Sequence, residues 1–272
     1  MPTGRFDGKR VLVMGSGITA ERYDDIAQAS ALAFAAEGAD VLTVQASRQA
    51  ATASAEEIRS AGGSAGSFVV DPRTTTDLGE LRDAVEARWD GLDVLVTSHF
   101  GVHFASAADT SAEQLEQVLR VNVTAPFLAT MTFLPLLRRG TDPAVVHVSS
   151  IDGIHGNPNV PAYSVSKGGT HVLVHVLAAD LAAAGVRVNG IARAASTAMP
   201  IPEIAFASLG DATPLVRAAE PAEYAAPVLF LASPEASYIT GAVLPVDGGR
   251  TAITPGASPG YLGYRSHSSG ER

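Results

Sequence analysis

The sequence predicts an α/β fold, a doubly wound parallel sheet flanked by helices, in one domain. Two observations carry that reading. Short apolar runs alternate with amphipathic helical stretches along the chain, and the connections between them are short. A strand–helix–strand unit with a tight connection is right-handed, so successive units wind helices onto both faces of the sheet. Ligands then bind at the carboxyl ends of the strands.

Each element follows in order. "KRVLVMG" is the first strand, and the alanine-rich segment Asp25 to Glu37 is the first helix, stopped by Gly38. "ADVLTVQ" is the second strand, "QAATASAEEIRSAGG" a helix closed by paired glycines, and "GSFVVD" the third strand. Leu78 to Trp89 forms a helix before the fourth strand, "LDVLVTS". A long helix from about Ser111 to Arg139 contains Pro126 and Pro135, which predict a kink or an early end. "AVVHVSS" is strand five, Tyr163 to Ala184 a helix, and "VRVNGIA" strand six. Pro221 to Leu231 is the last helix and "AVLPVDGG" the last strand. Two stretches leave the pattern. Residues 193–220 make a long proline-containing excursion of the kind that covers a site, and 251–272 form a Gly/Ser/Pro-rich tail. The domain proper is expected over residues 1–250.

Composition narrows the function. The chain has 272 residues, with 19 basic against 28 acidic residues and a net charge of −9. No dense Lys/Arg cluster suggests nucleic-acid binding. The absence of cysteine excludes disulfides, thiolate nucleophiles and Cys-ligated metals. The N-terminus enters an apolar strand without a signal-type stretch, and no uninterrupted apolar run has membrane-spanning length. The expectation is a cytoplasmic protein acting on a small molecule, without a membrane or nucleic-acid partner. His171 and His175 stand four apart on one helix, but no glutamate follows His171 and no third ligand is evident, so no metal is expected. His147 reads as a core histidine, while His99 and His103 flank "FG" close to the expected substrate pocket. No G-x-S-x-G turn supports serine-hydrolase chemistry.

The chemistry concentrates in "AYSVSKGG", which places Tyr163 and Lys167 one helical turn apart on one face. A phenol titrates near pH ~10 and is a weak proton donor or acceptor at neutrality. An ammonium one turn away favours the phenolate and brings Tyr163 towards the range of a general acid/base. Ser150 ends an apolar strand, where its hydroxyl can bond a carbonyl or alcohol oxygen. Asn122, in "LRVNVTAPF", is in a position to hold a water behind the lysine.

Asn122, the Ser149–Ser150 pair, Tyr163 and Lys167, in this order and context, resemble the short-chain dehydrogenase/reductase family. The segments "LDVLV", "GVRVNGIA" and "EPAEYAAPVLFLASPEASYITG" extend the resemblance over nearly the whole chain. It implies a Rossmann-type sheet and an NAD(P)-dependent oxidoreductase that reduces a ketone or oxidises a secondary alcohol. It further implies a catalytic set of Asn122, Ser150, Tyr163 and Lys167. Tyr163 passes the proton, Ser150 polarises the substrate oxygen, Lys167 lowers the tyrosine pKa and holds the nicotinamide ribose, and Asn122 anchors a relay water. Asp71 in "FVVDP" matches the family aspartate that touches adenine. A homotetramer or homodimer is the family expectation, and the apolar excursion suggests a hydrophobic or carrier-bound substrate.

The chain departs from the family pattern in three places. The usual G-x-x-x-G-x-G is absent; Gly15, Ser16 and Gly17 come early, and "SGITAERYD" contains an insertion bringing Asp24 and Asp25 to the helix start. Carboxylates there cap the free N–H groups and repel a diphosphate. The stretch is similar to enoyl-acyl-carrier-protein reductases, which also lengthen this loop; "DIAQA" then places Ile26 at the cofactor, with Arg22 offsetting the aspartates. The family's Asn-Asn-Ala-Gly is here within "TSHFG", and its Pro-Gly after strand six is Arg193-Ala194. Arg193 meets a phosphate or an acidic substrate, or fills the nicotinamide space. No acid stands near Gln45, whereas Ser47 and Arg48 suit a 2′-phosphate, so NADP is expected over NAD. Two alternatives remain at this point: a dinucleotide-independent enzyme similar to halohydrin dehalogenases, and a non-catalytic binding protein on the same scaffold.

Overall fold

The computed structural model describes residues 4–17, 25–71, 76–198 and 213–254. Arg22, Asp24, the middle of the 193–220 excursion and most of the tail lie outside them. Seven strands form one parallel sheet in the order β3-β2-β1-β4-β5-β6-β7. They are β1 Arg10–Gly17, β2 Asp40–Gln45, β3 Ser64–Val69, β4 Val94–Phe100, β5 Ala144–Ser150, β6 Arg187–Arg193 and β7 Val243–Val246. The helices are α1 Asp25–Ala36, α2 Arg48–Ser60, α3 Thr76–Arg88, α4 Ala112–Leu119, α5 Ala125–Leu137, α6 Pro161–Leu181 and α7 Pro221–Ala232. The strand order reverses between β1 and β4, which fixes the switch point where ligands of such sheets bind.

Alternation along the strands divides the core into two layers. Val11, Val13, Val94, Val96, Val146 and Val148 face α1, α2 and α7, where Ile26, Phe34, Ile58, Tyr224 and Val228 meet them. Leu12, Met14, Leu95 and Val145 face α3, α5 and α6, against Leu81, Val85, Phe133, Leu136 and Leu177. Each fully buried Leu, Ile or Phe contributes about 1.5–3 kcal/mol, so both faces hold the sheet strongly. The run Ala112–Leu137 is long and apolar enough to cross a membrane by length and composition. Its residues Ala129, Phe133, Leu136 and Leu137 are packed into the second core layer.

Two local expectations are corrected. The long helix is interrupted before its prolines, by a π-helical turn over Arg120–Thr124. Pro126 lies in the first turn of α5, where no N–H is required, and Pro135 is carried inside α5. The first strand runs two residues past "KRVLVMG", to Gly17. β4 keeps pairing with β1 through Gly15↔Ser98, Ser16↔His99 and Gly17↔Phe100, so both glycines belong to the strand.

At the amino edge of the sheet, carboxylates pair with guanidinium groups. Arg10 donates from Nε to Asp93 Oδ2 at 2.9 Å and from Nη2 to Oδ1 at 3.0 Å, and Thr141 N donates to Oδ1 at 2.6 Å. Burial alone pushes the Asp93 carboxyl up, but these donors hold it below its ordinary value. Arg88 Nη2 and Trp89 Nε1 close on Asp40 at 2.6 and 2.8 Å.

Candidate active site

Helix α6 begins at Pro161, in the first turn where proline is tolerated. Its buried stripe changes character along its length. Tyr163, Ser166, Lys167 and Thr170 occupy the first turns, and Val174, Leu177, Ala178 and Leu181 the later ones. The apolar part anchors the helix on the sheet and carries the polar part to the carboxyl edge of β4 and β5.

Tyr163 and Lys167 are 5% and 3% exposed. The Lys167 Nζ lies 5.6 Å from the centre of the Tyr163 ring. It donates to the carbonyls of His99, at 2.9 Å, and Val148, at 3.3 Å, one at the end of each strand. These bonds fix the ammonium beside the phenol. Carbonyl dipoles stabilise the charge without cancelling it.

Ser150 ends β5 and is buried. Its Oγ accepts from Asp152 N at 3.1 Å, capping the 3-10 turn Ile151–Gly153. A hydroxyl that accepts from a backbone N–H still has its own proton to give, and a substrate oxygen is a suitable acceptor. Neighbouring Ser149 donates to the Lys167 carbonyl at 3.2 Å. The turn after Ser150 also rests on α6: a Cβ on Gly153 would stand 2.5 Å from the Lys167 carbonyl carbon. Glycine is required for that approach, which fixes Ser150 relative to Lys167.

Asn122 sits in the π-helical turn and is 1% exposed. Its Nδ2 donates to the Gly101 carbonyl at 2.7 Å and to Ser166 Oγ at 2.8 Å, while Oδ1 accepts from Gly101 N at 2.7 Å. Ser166 Oγ in turn donates to the Tyr163 carbonyl at 2.7 Å. Thr170 Oγ1 lies 3.0 Å from the Asn122 carbonyl. Both amide protons of Asn122 are therefore used on protein. The side chain ties the end of β4 to α6. Gly101 abuts Val121, where a Cβ would approach Val121 Cβ at 3.0 Å.

Around this core the fold adds Thr97 and Phe100 to His99, His147 and Arg193, which the sequence marks. Thr97 Oγ1 and His147 Nδ1 are 2.7 Å apart, and His147 is fully buried. Burial first, and Lys167 second, push the His147 pKa down to about 4. Burial, Lys167 and His147 push His99 down to about 3, so both rings are neutral. The Phe100 ring packs edge-on against Tyr163 with centroids 5.5 Å apart, and the Arg193 guanidinium carbon lies 5.2 Å from the Phe100 ring centre. His103 is half-buried and His175 exposed; among the described residues no cluster of His, Asp or Glu is arranged to hold a metal.

The residues expected at the cofactor are gathered along the carboxyl edge of β1–β3. Gly15, Ser16 and Gly17 end β1. Ile26 is 1% exposed with its side chain in the core, and its backbone lies in the first turn of α1, the place where the sequence puts it at the cofactor. Ser47 caps α2 by accepting from Ala50 N at 3.2 Å. Arg48 is exposed on the first turn of α2, and Gln45 is buried. Asp71 follows β3, with its N–H 3.4 Å from Asp77 Oδ2.

Comparison with known proteins resolves what this arrangement is. Residues 20–251 match the model of the enoyl-(acyl carrier protein) reductase family. The chain belongs to the short-chain dehydrogenase/reductase family. This short-chain dehydrogenase/reductase is 34% identical over 260 residues to a cyclopentanol dehydrogenase of Comamonas sp., covering 92% of this chain and 99% of that one. It is 31% identical over 248 residues to a 3-oxoacyl-(acyl-carrier-protein) reductase of Thermotoga maritima, covering 90% and 98%. A solved structure described as an NAD(P)-dependent gluconate 5-dehydrogenase from Beutenbergia cavernae, with NADP bound at low occupancy, superposes with a TM-score of 0.82. Identity there is 29%, over 93% of this chain and all of the other. The protein is an NAD(P)-dependent oxidoreductase of this family, which favours redox chemistry over the dinucleotide-independent alternative.

Proposed function

We propose that the enzyme moves hydride between NADP(H) and a small carbonyl compound or secondary alcohol, with Tyr163 exchanging the proton. The observation that carries this is the placement of Lys167: a buried ammonium held at 2.9 Å by the His99 carbonyl and 5.6 Å from the Tyr163 ring centre. A positive charge at that range in a low-dielectric setting favours the phenolate and lowers the pKa of the phenol.

Residues at the carboxyl edge fit a dinucleotide. Lys167 at the ends of β4 and β5 suits ribose hydroxyls, the glycines ending β1 suit a close backbone approach, and Asp71 after β3 suits the adenine. Ser47 and the exposed Arg48 after β2 support a 2′-phosphate, while buried Gln45 offers no acid to a 2′-hydroxyl. When bound, the nicotinamide ring gives or takes the hydride.

The chain's own residues do the rest. In the reducing direction Tyr163 donates its proton to the oxygen of the substrate while Ser150 Oγ–H bonds that oxygen and draws charge onto it. Lys167 holds the resulting phenolate until a proton returns. Asn122, Ser166 and Thr170 are positioning residues: they lock the π-helical turn onto α6 so that Tyr163 and Lys167 keep one geometry. The main-chain carbonyl of Asn122 serves as anchor for a relay water. The domain spans residues 1–250; the middle of the 193–220 excursion, read from the sequence as a cover for the site, lies outside the described residues. The exposed Val165, Val172 and Val176 of α6 support assembly as a dimer or tetramer. The composition supports a cytoplasmic enzyme acting without nucleic acid or membrane.

The test is a thermal-shift titration with NADPH and with NADH, followed by loss of 340 nm absorbance with ketone substrates. A larger rise in Tm with NADPH, by ligand linkage, is expected. No shift with either nucleotide at millimolar concentration refutes the proposal.

A further inference from the structure

We infer that Thr97 and His147 are positioning residues for the reaction: their bond across β4 and β5 sets the width of the gap in which the Lys167 ammonium is held. This deepens, and rests on, the redox reading above.

The gap is written in the strand register. β4 stays paired with β1 as far as Gly17↔Phe100, and β5 with β6 as far as Ser150↔Arg193. Between β4 and β5 the pairing ends earlier, at Thr97↔His147. The two central strands therefore part over residues 98–100 and 148–150, while each keeps its outer neighbour. Lys167 reaches this gap from α6, and its Nζ donates to one carbonyl on each margin, His99 at 2.9 Å and Val148 at 3.3 Å. Both carbonyls would be left bare by the parted ladder, so the ammonium supplies the donor that each requires. Its position then follows the separation of the two margins.

Three links fix the elements around the ammonium. Asn122 ties the end of β4 to α6, bonding Gly101 and Ser166. Ser149 Oγ, donating to the Lys167 carbonyl at 3.2 Å, and the close approach of Gly153 tie β5 to α6. The third side, β4 to β5, is Thr97 Oγ1 to His147 Nδ1 at 2.7 Å, on the last rung before the gap. Thr97 is 2% and His147 0% exposed. By alternation along the strands both lie on the sheet face of Leu95 and Val145, towards α6.

Stability alone does not call for this pair. Among the described residues His147 Nε2 has no hydrogen-bond partner, so the buried ring has one nitrogen bonded and the other bare. A bare buried nitrogen costs free energy, and two apolar side chains of the same shape would fill the space without that cost. The titratable groups facing Lys167 are Tyr163 and His171 on its own helix, His99 on β4 and His147 on β5. Burial and Lys167 keep His99 and His147 neutral, so the two rings border the gap without bringing a second charge to it.

The experiment is the titration of Tyr163 by carbon-13 NMR of ring-labelled enzyme, without nucleotide or substrate, beside Tm. In Thr97→Val/His147→Leu both partners become apolar, so the bond is lost with no new bare group and Tm is expected to stay near wild type. The Tyr163 titration is nevertheless expected to move up by about one pH unit, because the ammonium is no longer fixed beside the phenol. His147→Asn brings an amide into the place of Nδ1, where it meets Thr97 again, and is expected to keep the titration within the wild-type range. A double variant with wild-type Tm and a wild-type Tyr163 titration overturns the inference. So does an equal upward shift in His147→Asn, which assigns the effect to the ring and not to the bond. Should the double variant not fold, Thr97→Val is read by the same titration, and loss of the fold in both assigns the pair to stability and overturns the inference. Because the titration needs no nucleotide, failure of NADPH to bind refutes the redox reading while a shifted titration still supports the positioning role.

Discussion

The two edges of the one sheet hold their cations in different ways. At the amino edge Arg10 is matched by Asp93 and Arg88 by Asp40, each pair satisfied by further donors such as Thr141 N and Trp89 Nε1. At the carboxyl edge the Lys167 ammonium is held by the carbonyls of His99 and Val148, and the Arg193 guanidinium lies over an aromatic ring. A carboxylate partner neutralises a charge and turns it into a clamp. Carbonyls and rings fix the position of a cation through their dipoles and quadrupoles. The amino edge is built for stability and the carboxyl edge for chemistry.

The largest effect that separates them is expected from Tyr163→Phe. It should lower kcat by about 1,000-fold, in the range of general acid–base contributions, with Tm and NADPH affinity little changed. Steady-state kinetics and calorimetry check this; retained turnover breaks the assignment. The converse variant, Asp93→Ala, leaves Arg10 with only the exposed Asp90 and should cost about 3 kcal/mol of stability, the lower end for a broken buried pair. Denaturant unfolding measures it, and kcat below the melting range should stay near wild type.

The neutral histidines behind Lys167 give a smaller, pH-dependent effect. Folded His147 and His99 titrate at about 4 and about 3, below the value of 6.5 for a free ring. Between those values the unfolded chain binds more protons than the folded one. Their contribution is therefore complete above pH ~6.5 and is lost as pH falls towards ~4, by up to about 1.4 kcal/mol per pH unit for each ring. His147→Gln should flatten the acid limb of unfolding free energy against pH by about one ring's share. An unchanged limb contradicts the burial argument. The smallest effect is expected from Arg48→Ala, an exposed cation on α2. It should weaken NADPH by about tenfold, or about 1.4 kcal/mol, and leave NADH unchanged. Equal loss for both removes the 2′-phosphate reading.

Much of this was legible in the sequence because strands covered on both faces read as short apolar runs, and a helix face repeats every turn. All seven strands and the Tyr163–Lys167 pair follow from those periods. What sequence spacing does not carry is the choice of hydrogen-bond partner. Asn122 reads as a water holder, yet its amide protons go to Gly101 and Ser166, which only the folded juxtaposition of β4 and α6 supplies. Prolines drew attention to the wrong point in the long helix, because Pro126 is tolerated in a first turn while the break is a π-helical turn without any proline. The first strand reads as ending at Gly15, but continued pairing with β4 carries it to Gly17. Ile26 is placed by its sequence context alone; burial of its apolar side chain leaves the backbone of the first turn of α1 as the part that can meet a ligand. The series Tyr163–Phe100–Arg193 joins α6, β4 and β6, and no local pattern announces it.

The central claim is that the Lys167 ammonium makes the Tyr163 phenol acidic. The most direct test is the titration of Tyr163 itself, by carbon-13 NMR of ring-labelled tyrosine, with Tyr163→Phe identifying its signal among the six tyrosines. The account predicts ionisation well below pH ~10 in wild type and a return to about 10 in Lys167→Met. A Tyr163 signal that titrates near 10 in both proteins would contradict it.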